Sequence, residues 1–266
     1  MSIRKSAVGG QFYPSDPKEI SSMFKYYNQI LDKHLNDKTL LNKKPRAIIV
    51  PHAGYIYSAF TANTAFRLLE NTNAKRIVVI GPSHRIYLRG TSISDYDEYE
   101  TPFGMLSIDK NLVHELRDKF TLDFVPNAHH EHSTEVQMPF VKTYDKEAQV
   151  VELVYGDEDP AKLAKVIKYL LDDPQAVVVI STDLSHYYDI DKANRLDNIC
   201  LNAIENLDTN MLHQGCEACG KIGVEAMIIA AKAKGLKPIM LDYRTSADAS
   251  KDETQVVGYM SAAFIG

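Results

Sequence analysis

Three cysteines, at positions 200, 216 and 219, are too few and too unevenly spaced for the disulfide framework of a small secreted protein. Any that matter are better placed for thiol or metal chemistry. A basic excess is also missing: Lys and Arg total 30 against 35 Asp and Glu, a formal net charge of −5. Nucleic acids and anionic membrane surfaces demand clustered positive charge, so neither is expected as a partner. No apolar run approaches the roughly 20 residues needed to span a bilayer, and the opening MSIRKSAVGGQFYP lacks the apolar segment of a signal peptide. The expected location is cytoplasmic.

What is present is the composition of an ordinary globular protein. With 266 residues, 45% of them hydrophobic, the chain can bury a sizeable core, and α/β proteins of this length often form one unit. A single domain over residues 1–266 is expected. Residues 17–34 place Ile20, Met23, Phe24, Tyr27, Ile30 and Leu31 at helical spacing behind Ser15-Asp16-Pro17, where Asp16 can cap and Pro17 fits the first turn. A polar stretch from Asn36 to Pro45 reads as a surface loop. It feeds the short, β-branched run Arg46 to Pro51, a buried strand.

The same grammar repeats. A helical segment, Ala59 to Glu70, leads to a strand at Arg76–Gly81, and another, Pro160 to Leu171, leads to a strand at Ala176–Ser181. Strands uniform in Val and Ile belong to sheets covered by helices on both faces. Further strands are predicted at Gln149–Val154, Lys237–Tyr243 and Gln255–Phe264, and helices at Asp189–Glu205 and Gly223–Lys234. The segment Thr91 to Ile108 lacks the strand-helix alternation, so the sheet can be mixed. The predicted fold is α/β, a three-layer sandwich with a largely parallel or mixed central sheet flanked by helices.

In open α/β sheets the ligand crevice lies outside the carboxyl ends of the strands. Three of these strands run into histidine-bearing loops: Pro51-His52-Ala53-Gly54-Tyr55, Gly81-Pro82-Ser83-His84, and Ser181-Thr182-Asp183-Leu184-Ser185-His186. If the strands are parallel neighbours, the three imidazoles converge. The prolines and glycines in the first two loops stiffen or permit a tight turn that fixes a ligand direction.

Cys219 precedes an apolar helix, where the macrodipole favours a thiolate. Cys216 forms a C-x-x-C with it, but no thioredoxin-like βαβ setting surrounds the pair, and both can equally be buried and inert. Cys200 reads as a small core residue. The run Asn127 to Phe140 holds His129, His130 and His132 with Glu131 and Glu135. His129 and His130 are expected in solvent, whereas His132 and Glu135 share a face if a helix starts there.

In order and context these pieces resemble the Memo family, also called protein B of the AmmeMemoRadiSam system. They are Arg4 with Ala7 to Pro14, Pro51 to Tyr55 with Tyr57-Ser58, Gly81 to His84, Thr101 to Gly104, Glu131 to Ser133 with Glu135 to Phe140, Ser181 to Tyr187, and Cys219 to Gly223. The resemblance implies a fold similar to the class III extradiol (LigB-like) dioxygenases, which hold non-haem iron with two histidines and a carboxylate. It implies metal ligation by His52, His84 and Cys219, with His186, oriented by Asp183, as acid and base. Tyr55, Ser58, His132, Glu135 and Tyr187 would line the substrate pocket. A thiolate in place of the carboxylate shifts preference toward copper(I), zinc or sulfur-ligated iron. The implied activity is therefore iron- or copper-dependent redox chemistry, with zinc hydrolysis less favoured. The alternative is a cleft that binds a peptide or small molecule, or sequesters the metal. A radical-SAM protein is the partner that the family name implies.

Overall fold

The computed structural model describes residues 1–34 and 37–266. In chain order its strands are β1 (Ile3–Arg4), β2 (Pro45–Val50), β3 (Arg76–Pro82), β4 (Thr91–Ile93), β5 (Glu98–Thr101), β6 (Gly104–Ser107), β7 (Gln149–Tyr155), β8 (Ala176–Ser181), β9 (His186–Tyr188), β10 (Lys237–Thr245) and β11 (Val256–Ile265). The helices are α1 (Pro17–His34), α2 (Tyr55–Phe66), α3 (Lys110–Phe120), α4 (His132–Glu135), α5 (Met138–Tyr144), α6 (Pro160–Leu170), α7 (Ile190–Glu205), α8 (Thr209–Leu212), α9 (Lys221–Lys234) and α10 (Ala247–Ser250).

The main sheet runs in the order β10-β11-β2-β8-β3-β7-β4, with β9 added to β11. The central strands β2, β8, β3 and β7 are parallel, whereas β4, β10 and β11 run antiparallel to their neighbours. The sheet is thus mixed, and the irregular segment 91–108 supplies β4 together with the β5–β6 hairpin of a small sheet that β1 joins. Ile48, Ile49, Val78, Val79, Val178, Val179 and Ile180 are fully buried, and each such side chain contributes about 1.5–3 kcal/mol.

Connection direction sets the layers. The β2-α2-β3 crossover moves one way along the sheet and β7-α6-β8 moves the other, so two right-handed crossovers put α2 and α6 on opposite faces. Helices α1 and α5 pack with α2, while α9 packs with α6 and α7 covers β10 and β11. Strands β2 and β8 are neighbours whose following segments leave toward different layers, and this opens a crevice at their carboxyl ends.

Local capping follows the residue chemistry. Asp16 accepts from Lys18 N at 2.8 Å at the start of α1, as its position before Pro17 predicts. Helix α2 begins earlier than the predicted Ala59, directly behind Gly54, and finishes as a 3-10 turn over Arg67–Asn71. The loop predicted over 36–45 starts at Asn36, outside the described residues; its part from Lys38 to Asn42 is a 3-10 turn, and Pro45 already pairs in β2.

The cysteines correct two expectations. Cys200 of α7 is joined to Cys216 by a disulfide, because the turn after α8 folds back onto α7. Cys200 is therefore not a lone core thiol, Cys216 is no C-x-x-C partner, and Cys219 is the free cysteine. The disulfide removes cysteine usage as an argument against an oxidising compartment. Among the described residues no helix is long and apolar enough to cross a membrane.

Candidate metal centre

Level strand ends build the site. Val50 of β2 pairs with Ser181 of β8, and Ile80 of β3 pairs with Ile180, so the segments leaving these three strands start at one height. His52 follows β2 by two residues and is 2% exposed; His84 follows β3 by two residues and keeps part of its ring in solvent. The third imidazole is His132, from the first position of α4, a turn that docks on the end of β3. Gly81 permits this docking: a Cβ there would lie 2.7 Å from Ser133 Oγ. One ligand atom from each of His52, His84 and His132 lies within 4.8 Å of the others, with ring centroids 4.7–5.4 Å apart.

The hydrogen bonds around these rings decide which nitrogen is free. Ser181 Oγ has one proton, donated to the Ser133 carbonyl at 2.6 Å, and Oγ also accepts from Gln137 Nε2 at 2.9 Å. His52 Nδ1, 3.0 Å from the same oxygen, must therefore be the donor. This leaves the lone pair on Nε2. Glu131 does the same for the other two rings: its Oε1 stands 2.8 Å from His132 Nδ1 and 3.3 Å from His84 Nδ1. Its oxygens also accept from the backbone N–H groups of His84, Arg85, His132 and Ser133. Burial alone would raise the Glu131 carboxyl, but hydrogen bonds from His132 and His84 hold it well below the usual carboxylate range. A histidine held through Nδ1 by a carboxylate or hydroxyl is the usual partner arrangement of a metal ligand.

Cys219 and Asp183 border the triad on the His52 side. Cys219 Sγ is 3.3 Å from His52 Nε2 and accepts from Asp183 N at 3.3 Å. It stands outside the set of three mutually close donors, so His132, expected in the substrate pocket, takes the place in that set that Cys219 was expected to hold. The approach of the Cys219 turn depends on Gly220, whose missing Cβ would come within 2.6 Å of Thr182 Cβ. Burial, and then the Asp183 charge, push the Cys219 thiol from 9.0 up to about 12. This is worth about 4 kcal/mol and outweighs the ~1 kcal/mol that a helix terminus supplies, so without a cation the thiolate expected from the macrodipole does not form. Burial also lowers His52 from 6.5 to about 4, against the pull of Asp183, and keeps the ring neutral.

Other expected residues fall elsewhere. Asp183 Oδ1 accepts from His52 N at 2.7 Å, so this carboxylate organises His52, not His186. His186 lies in β9 beside Tyr187, because the four-residue path from β8 carries it over to pair with β11. Tyr187 is 71% exposed with φ +63°. Tyr55 is buried among Tyr13, Phe24 and Phe140 and donates to the Val136 carbonyl; Ser58, also buried, donates to the Ala53 carbonyl. Both serve the packing of α2 rather than a pocket surface. Glu135 is wholly buried against Arg4, with no face for a substrate. His130 is exposed as expected, but His129 is buried between Glu152 Oε2 and Ser92 Oγ, each at 2.8 Å.

Glu131, Ser181 and Gln137 were not assigned a role from sequence. Glu131 carried a signal: a carboxylate adjacent to a candidate ligand at the start of a helix. Ser181 carried none beyond its place at a strand end.

An α/β sandwich with clustered histidines at the carboxyl ends of parallel strands is the class to which this chain belongs. The family model described as Memo-like protein matches residues 4–263. The chain is 34% identical to a MEMO1 family protein of Aquifex aeolicus over the full length of both. It is 33% identical to one of Sulfolobus acidocaldarius, covering 98% of this chain and 99% of the relative, and 29% identical to one of Archaeoglobus fulgidus at the same coverage. The chain is a member of the Memo family.

Proposed function

We propose that this protein binds one metal ion through His52, His84 and His132, with Cys219 and Asp183 at its margin, and carries out iron- or copper-dependent redox chemistry. The observation that supports this most is the convergence of three imidazoles whose Nδ1 atoms all lie beside oxygen partners, with one ligand nitrogen from each ring within 4.8 Å of the others. The donor set fits an ion. Nitrogens about 2.1 Å from a tetrahedral metal are about 3.4 Å apart, and the half-exposed His84 ring can close the wider spacing present here. Imidazole suits iron, copper and zinc alike, and a neighbouring thiol adds preference for the softer states. The likeness to the extradiol dioxygenase fold belongs to the same reading, supported by the mixed sheet with its histidines at the strand ends.

The bound ion would supply electron transfer and polarise a coordinated substrate. The protein's own groups supply the rest. Glu131 and Ser181 fix the rings, and Asp183 holds the His52 backbone. The Cys219 thiol, 3.3 Å from His52 Nε2, stands beside the position the ion would take. His186, in β9 and outside the clustered imidazoles, is the group this reading assigns to a substrate. A second reading, a ligand-binding or metal-sequestering protein, draws on the exposed Ile56 and Tyr57 at the start of α2 and Tyr187 in β9.

The test is elemental analysis with spectroscopy of the protein from its native source. The expected result is about one iron or copper per chain, lost in His52→Ala. Zinc alone would remove the redox assignment, and no metal in the wild type would remove the metal reading. Oxygen consumption that stops after one equivalent would favour sequestration over catalysis.

A further inference from the structure

His132 is the one imidazole of the triad that does not follow a strand of the main sheet. It sits on α4, a turn of four residues and too short to hold its own shape, since a helix this short has almost no internal hydrogen bonding to offset its nucleation cost. Its support comes from residues far away in sequence. Arg4, 3% exposed at the end of β1, donates from Nη2 to the Glu131 carbonyl at 3.1 Å and from Nη1 to Glu135 Oε2. One guanidinium thus grips both ends of the turn.

The clamp extends along the next residues. Glu135 Oε1 accepts from Ser6 Oγ at 2.8 Å, Val8 N at 2.9 Å and Tyr13 OH at 2.7 Å, and Oε2 accepts from Ala7 N at 2.8 Å. The Phe12 ring lies on His132 with centroids 4.7 Å apart. The Phe12 carbonyl accepts from Tyr55 N at 2.7 Å, at the start of the helix that follows His52. A single segment therefore reaches the turn that carries one histidine, its ring, and the element behind another.

We propose that the segment Arg4 to Tyr13 is a positioning element of the metal centre, with Arg4 and Phe12 as the residues that set the direction of the His132 ring. The inference rests on the metal reading above. It departs from simple packing in one respect: a segment that only covered the core would contribute to stability without selecting the geometry of a ligand. Groups that orient metal ligands typically cost 10–100-fold in affinity when removed.

Cobalt(II) is the probe, because its visible spectrum reports coordination geometry. Full-length wild type, Arg4→Met, Arg4→Lys, Phe12→Ala and His132→Ala are titrated with Co2+, and each variant's thermal unfolding is recorded without metal. The expected result is 10–100-fold weaker binding in Arg4→Met, an altered spectrum, partial recovery in Arg4→Lys, and little further loss when His132→Ala is added to Arg4→Met. Arg4→Met removes the partner of a buried carboxylate and can fail to fold. Phe12→Ala keeps that ion pair and then carries the test, with several-fold weaker binding and an altered spectrum expected. Folded variants that bind as tightly as wild type with the same spectrum, at whatever cost in melting temperature, would overturn the inference. Wild type that takes up no Co2+ would overturn the metal reading, and this inference with it.

Discussion

The segments that leave β2 and β3 differ from the one that leaves β8, although all three strands are parallel neighbours ending at one height. His52 comes two residues after Val50 and His84 two residues after Pro82, whereas His186 comes five residues after Ser181. Short, proline-stiffened exits keep a side chain over the sheet edge. The longer exit places Ser181 and Asp183 there instead, as the groups that hold His52, and carries its histidine to β9. Position behind a strand is therefore a weaker guide than distance behind it. The third imidazole at this edge is His132, which reaches it on a separate turn.

The largest effect should separate the two kinds of loop directly. His52→Ala and His84→Ala each remove a donor from the triad, and metal stoichiometry in the purified protein should fall at least about 100-fold in apparent affinity, since each ligand contributes several kcal/mol of the binding energy of a site of this kind. Full iron or copper occupancy in the His52→Ala/His84→Ala double variant would break the comparison.

A second effect comes from pH. Burial depresses His52 from 6.5 to about 4 in the folded protein. Between these values the unfolded chain binds the proton that the folded one refuses, so folded-state stability is complete above about 6.5 and falls as the pH drops toward 4. The contribution at stake is about 3 kcal/mol. Urea unfolding of metal-free protein at several pH values should show this slope in wild type and lose most of it in His52→Gln. Cys219 acts at the other end: with its pKa raised from 9.0 to about 12, its contribution is complete below 9 and is lost as the pH rises toward 12. An equal acid slope in wild type and His52→Gln would mean that another group carries it.

Much of this arrangement was legible before any coordinates. The buried strands, α1 with its Asp16 cap, and the placement of His52 and His84 follow from local pattern: β-branched runs, a cap before proline, and glycines and prolines in tight exits. What was hidden depends on residues far apart in the chain. Glu135 looked like a partner of His132 from their spacing, but Arg4, 131 residues away, claims its carboxylate. His129 looked like a loop histidine, and Glu152, a lone carboxylate inside the apolar strand β7, together with Ser92 on β4, draws it into the interior. The Cys200–Cys216 disulfide depends on how the α8 turn meets α7, which no spacing rule encodes.

Two intermediate effects sharpen the contrast further. Glu131→Gln keeps the size of the side chain but removes the charge that holds His84 and His132, and should weaken metal binding about 10–100-fold, read by competition with a chelator of known affinity. Gly220→Ala tests how closely the β8 exit packs on the Cys219 turn. Its Cβ would meet Ser181 O at 2.8 Å as well as the Thr182 side chain, and overpacking of this kind costs about 1–3 kcal/mol. Urea unfolding should register that loss, and Cys219 should become more reactive to an alkylating reagent as its turn is pushed outward. An unchanged midpoint and unchanged reactivity would show that the turn yields freely.

The smallest expected change belongs to His186→Asn. If the longer exit from β8 has removed this histidine from the ligand set, the variant should load metal as wild type does, within about twofold, and give the same spectrum. His186 is partly buried, pairs through β9 with Val257, and contacts Tyr187 rather than any of the three clustered imidazoles. Asparagine retains a polar group of similar reach, so stability should change by less than about 0.5 kcal/mol, the range of substitutions that break no buried network. A fall in turnover with metal content intact would place His186 on the substrate side of the crevice, as general acid–base groups contribute about 10²–10⁴-fold. A fall in metal content would instead return it to the ligands, and the comparison between short and long exits would lose its meaning.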